Sequence, residues 1–177
     1  MLETMKKPAE LILRQPDDMH VHFRQGEMME AVVTATSNVF ARAVVMPNTI
    51  PPITTVERVE NYRSRIIDAA DEGFEPLMTF KILPGMDPDL IAGLKAANVV
   101  AGKLYPEGAT TNSEDGVSDV RQIYPVLELM QQHDIVLSIH GEDPAVFSLD
   151  REEAFLPVIK QLRKDFPALR IVLEHLT

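Results

Sequence analysis

The 177-residue chain is 45% hydrophobic and 25% charged, the balance of a globular domain with a substantial core and not of a disordered segment. Its net charge of −10 excludes a general nucleic-acid footprint, and no apolar run approaches the ~20 residues that span a bilayer. The lack of cysteine removes disulfide frameworks and thiolate metal sites and fits a cytoplasmic setting; the opening MLETMKKPAE lacks the apolar stretch of a secretory signal.

Taken in chain order, the hydrophobic pattern predicts strands at residues 19–23, 43–46, 76–82, 99–105, 135–140 and 170–176. Helices are predicted between them, near residues 27–37, 55–72, 88–97, 116–133 and 150–165. In the second, Val56, Val59, Ile66 and Ile67 recur at near-helical spacing, threonines stand ready to cap the front, and Gly73 sits where a stop belongs. Such strand–helix alternation implies parallel strands joined by right-handed crossovers.

Two folds share this pattern, the doubly wound sheet and the (β/α)₈ barrel. A dinucleotide-binding sheet wants a glycine-rich turn after its first strand, and the turn here, HFRQGEMME, has a single glycine. The unusual polar residues gather at the C-terminal ends of strands, where a barrel builds its site. The predicted class is therefore α/β, a (β/α)₈ TIM-type barrel. A full barrel has eight strands in ~250 residues. About six are present, so residues 1–177 are expected to be one partial barrel domain, truncated after His175-Leu176-Thr177. The sixth strand should then be an open edge, with Val99, Ala101, Leu137 and Leu173 bordering a gap.

The first strand reads Asp18-Met19-His20-Val21-His22-Phe23-Arg24. Side chains alternate along a strand, so His20, His22 and Arg24 should share one face. Two imidazoles so placed can grip one divalent ion, although an HxH pair is also a common surface or core feature. Lys103 interrupts the apolar fourth strand, where an unpaired ammonium is costly. It is either a snorkelling strand-end lysine or one pressed by burial toward its neutral, nucleophilic form, able to capture carbon dioxide as a carbamate. His140 ends the fifth strand, DIVLSIH, and His175 ends the sixth, RIVLEHLT. A lone strand-end histidine is usually a core residue; two more beside HxH and a buried lysine point to a common site. His133 ends a helix, where a cation suits the macrodipole, and is given no catalytic role.

The segments HVHFR, VVMPNTIPPITTVE, GKLYPEGATTNSEDGV, IHGE and EHLT, in this order, resemble the dihydroorotases, most closely the single-function bacterial type, from about residue 16 to the end. That resemblance implies a (β/α)₈ amidohydrolase, usually a homodimer, with two zinc ions, interconverting N-carbamoyl-L-aspartate and dihydroorotate in pyrimidine biosynthesis. It further implies His20 and His22 on the more buried metal, His140 and His175 on the more exposed one, and Lys103 as an N6-carboxylysine bridging both. Substrate contacts are implied for His22, Arg24, Asn48 and His140, with Thr110 and Thr111 on a mobile loop over the substrate. For Arg24 the chemistry agrees, since guanidinium pairs bidentately with carboxylate; Asn48 after Pro47 also reads as an ordinary turn residue. The family's proton-shuttling aspartate follows its eighth strand, so these residues alone are expected to be inactive. Two competing readings are a sister amidohydrolase of the dihydropyrimidinase or allantoinase type and a non-catalytic dihydroorotase-like scaffold subunit. No nucleic-acid or membrane partner is expected.

Overall fold

The computed structural model describes residues 12–176; the N-terminal segment read above for a signal pattern, and Thr177, lie outside it. Five β–α units and a last strand follow in order: β1 Asp17–Val21, α1 Gly26–Ser37, β2 Arg42–Val45, α2 Val56–Ala69, β3 Glu75–Lys81, α3 Leu90–Ala96, β4 Ala101–Leu104, α4 Tyr124–Gln132, β5 Val136–Ile139, α5 Arg151–Asp165 and β6 Ile171–Leu173. Each predicted strand and helix is present, with ends displaced by at most three residues except at the fourth helix, which starts eight residues late.

All neighbouring strands are parallel, and their spatial order is their sequence order, β1 to β6. That order separates the two candidate folds. A doubly wound sheet reverses direction at a switch point, whereas a barrel adds each strand beside the last. The sheet is a barrel wall with helices outside it.

Helix α2 shows how sequence sets an element. Thr55 accepts the Arg58 amide at 3.3 Å, satisfying one free N–H of the first turn. Val59, Tyr62 and Ile66 form its buried stripe. Ile67, expected on that stripe, instead faces solvent, and Tyr62 fills the place. Helix α4 starts later than predicted, because a 3₁₀ turn at Val120–Ile123 precedes it and Pro125 suits its first turn.

Strand β4 is buried along its length, while β6 is half-exposed, with Val172 46% accessible. Strands β1 and β6 each pair on one side only. Between them opens a mostly apolar concavity of about 420 Å³, lined by Met19, Val44, Leu77, Val100, Val136 and Val172 among others. One expectation is corrected here: Val99, packed in the core, does not border the gap, and neither does Leu137. It is fully buried in the core that includes the helix residues Leu127, Met130 and Leu162, because β5 turns Val136 and Ser138 inward. Among the described residues, no helix is long and apolar enough to cross a membrane.

Candidate metal centre

The end of β1 brings two imidazoles together. The β1–β2 register shifts between Asp18 and Val21, and the Asp18 carboxylate accepts the His20 amide at 3.0 Å. The His20 and His22 Nε2 atoms are 3.1 Å apart, with ring centroids at 5.0 Å. A tetrahedral ion with bonds near 2.05 Å separates two nitrogen ligands by roughly 3.3 Å, so this spacing suits a shared cation. Arg24 needs a correction. It lies beyond the strand at φ 63°, with its carbonyl accepting the Tyr62 hydroxyl at 2.7 Å, so a turn and not alternation places it. Its charge nonetheless reaches the site, being one of those that lower the His22 pKa.

Lys103 is wholly inaccessible on β4. Burial pushes its ammonium down to about 7, near the neutral amine at physiological pH. The Glu174 carboxylate lies against it, and the Tyr105 ring centroid is 5.3 Å away.

His140 directly follows β5, its amide donating to the Leu104 carbonyl at 3.0 Å. His175 lies just beyond β6 at φ 42° and is more exposed. The His175 ring centroid is 4.5 Å from that of His140 and 5.2 Å from that of His20. Desolvation, aided by neighbouring positive charge, pushes His20, His22 and His140 down to about 4 and lowers His175 as well. All four imidazoles therefore offer a nitrogen lone pair at pH 7. Two buried nitrogens, His20 Nδ1 and His140 Nε2, have no aligned hydrogen-bond partner among the described residues, although carboxylates stand close to both, Glu174 at 3.1 Å and Glu142 at 3.2 Å. Donor atoms of His20, Glu174 and His175 lie within 4.8 Å of one another, as do those of His140, Glu142 and His175. Neutral imidazoles, orphaned buried nitrogens and carboxylates in one cluster form a donor set that fits a divalent cation of the zinc type.

Asn48 sits beside this cluster, buried, and its side chain reaches His22. Its amide donates to the Thr111 carbonyl at 3.0 Å, and its own carbonyl accepts Asn112 Nδ2 at 3.0 Å. Asn48 thus ties two loops together, and its amide is engaged. The Thr110–Thr111 loop is itself a built turn: Thr110 N–H donates to Ser113 Oγ at 2.9 Å, and Ser113 Oγ donates to the Thr110 carbonyl at 2.6 Å. Gly116 closes it, since an added Cβ would stand 2.6 Å from the Tyr105 carbonyl. Lys81, buried on β3, anchors the loop from below by donating to the Asn112 carbonyl at 2.7 Å and pairing with Asp115. His133 lies apart, at the C-terminal cap of α4.

Sequence reading missed Glu174, Lys81 and Ser138. A signal existed for Glu174: an acidic residue inside the apolar run RIVLEHL violates the pattern as Lys103 does.

The sequence pattern of the amidohydrolase family matches residues 11–175. This chain belongs to that family. It is 50% identical over 172 residues to a dihydroorotase of Delftia acidovorans, covering 94% of this chain and 50% of that protein. The chain therefore spans about half the length of the curated relatives it matches. Crystalline dihydroorotase from Saccharomyces cerevisiae, solved with 5-fluoroorotic acid, superposes with a TM-score of 0.85 at 40% identity, over 92% of this amidohydrolase chain and 48% of that one. An L-hydantoinase from Arthrobacter aurescens superposes with a TM-score of 0.75 at 15% identity, over 92% and 41% of the two chains, a likeness of fold alone.

Proposed function

We propose that this chain supplies the metal-binding half of a dihydroorotase, a zinc-dependent cyclic amidohydrolase interconverting N-carbamoyl-L-aspartate and dihydroorotate. The observation that carries the reading is the gathering of His20, His22, Lys103, His140 and His175 at the ends of four strands. The 50% and 48% identity to two dihydroorotases supports this choice of reaction and substrate. In the assignment we favour, His20 and His22 would hold one ion, His140 and His175 would hold a second, and Lys103, as N6-carboxylysine, would serve both. The depressed lysine pKa supports this, since only the neutral amine takes up carbon dioxide.

When bound, such cations supply a water that ionises near neutral pH and an electrophile for the ring amide carbonyl. The chain's own residues do the rest. The imidazoles stay neutral at pH 7 and so keep a lone pair available for a cation. Arg24 is the cation available to fix the substrate carboxylate bidentately. His22, His140 and Asn48 stand at the same mouth, and Thr110 and Thr111 form its lid, so releasing the Asn48–Thr111 bond would free the Asn48 amide for substrate. A cytoplasmic homodimer acting on a small anionic substrate completes the proposal.

Metal analysis of the full-length protein with a dihydroorotate ring-opening assay tests this reading: two ions per chain and turnover are expected, and a metal-free active protein would refute it. A sister reading, a hydrolase of rings without a carboxylate, would need no cation for a substrate carboxylate. If Arg24→Met leaves turnover of dihydroorotate untouched, that sister reading gains.

A further inference from the structure

The last strand delivers a buried carboxylate to which the proposed ligand set gives no role. The Glu174 amide donates to the Ile139 carbonyl at 3.1 Å, extending the β5–β6 ladder by one residue, and its side chain is only 6% accessible. A carboxylate in such a place is expensive unless its oxygens are occupied. Three strands occupy them. Ser138 of β5 donates its hydroxyl to Oε1 at 2.6 Å, Lys103 of β4 lies against Oε2, and His20 Nδ1 of β1 stands 3.1 Å from the same oxygen.

The His20 ring therefore faces two ways. Its Nε2 meets His22 Nε2 at 3.1 Å, in the spacing that suits a shared ion. Its Nδ1, buried and off hydrogen-bond alignment, has no partner nearer to hand than Glu174. A carboxylate on that side keeps the proton on Nδ1 and leaves the Nε2 lone pair free, fixing both tautomer and ring orientation. We propose that Glu174, held by Ser138, is a positioning residue that orients His20 for metal binding and joins β1, β4 and β5 beneath the metal centre. This inference rests on the metal-dependent reading above.

The test is metal affinity in the full-length protein, by zinc titration against a chromophoric chelator, with the absorption spectrum of the cobalt-substituted protein and urea unfolding alongside. Glu174→Gln should weaken binding of the first ion about 10- to 100-fold while two ions still bind at saturation and the cobalt spectrum keeps its coordination signature. Glu174→Asp should recover part of the affinity. Ser138→Ala, a smaller change that keeps the carboxylate, should weaken binding several-fold and serves if Glu174→Gln does not fold. Affinity unchanged in both Glu174→Gln and Ser138→Ala would overturn the proposal. So would a loss of one ion at saturating metal with an altered cobalt spectrum, which would make Glu174 a direct ligand. If wild-type protein binds no metal, the functional reading itself falls, an outcome distinct from either.

Discussion

Lys81 and Lys103 stand opposite each other in the β3–β4 register, and both are almost completely inaccessible. Their surroundings diverge. Lys81 reaches up to a loop, pairing with Asp115, whose side chain is 49% accessible, and with the Asn112 carbonyl. Lys103 meets a buried carboxylate, Glu174, which also touches His20, and its charge lowers the pKa of His20, His22, His140 and His175. Two lysines of one layer thus serve different ends: one fastens the loop that holds Asn112 and Asp115, the other sits among prospective metal ligands. Burial alone does not mark a reactive lysine; the company of imidazoles does.

The largest effect should separate the two outright. In the full-length protein, Lys103→Ala should lose the bound metal pair and lower turnover by roughly three orders of magnitude, with small carboxylates restoring part of both. Full metal content with normal turnover would break the distinction. At the other lysine, Asp115→Ala should cost up to about 3 kcal/mol in urea unfolding, because it leaves the buried ammonium with the Asn112 carbonyl as its remaining partner. Lys81→Met should cost much less, since it removes the buried charge and leaves a half-exposed carboxylate. Neither should change metal stoichiometry.

Arg24→Met probes the boundary between substrate and metal. Loss of a charged contact worth about 1.5–3 kcal/mol should raise KM by about 10- to 100-fold while metal content holds. Metal loss with unchanged KM would move Arg24 into the metal shell.

A last prediction concerns pH. His20, His22 and His140 titrate near 4 in the folded chain against 6.5 for an ordinary histidine. Between those values the unfolded chain binds more protons, so the stability of metal-free protein should rise with pH and be lost as pH falls from about 6.5 toward 4. Urea midpoints at pH 7, 5.5 and 4.5 should decline in that order, and less so in a variant with His20 and His140 both replaced by Gln. A flat profile across that window would mean the imidazoles are solvated.

Much of this was legible in the sequence because it is local. Strand–helix alternation, Thr55 as a cap and the strand-end placement of His20, Lys103, His140 and His175 depend on neighbours a few positions away. What escaped is non-local. Glu174 meets Lys103 across 71 positions and Asp115 meets Lys81 across 34, and no periodicity announces such pairs. Alternation also failed where the backbone departs from a strand: Arg24 sits in a left-handed turn whose carbonyl accepts the Tyr62 hydroxyl, 38 positions away, and the β1–β2 register shifts between Asp18 and Val21.

Anomalous diffraction at the zinc edge, on crystals of the full-length protein grown with zinc, tests the central claim most directly. Two peaks are expected, one flanked by His20 and His22, the other by His140 and His175, with the Lys103 side chain between them. Peaks elsewhere, or none while the four imidazoles remain in place, would show that these residues form a packed polar cluster and not a metal centre.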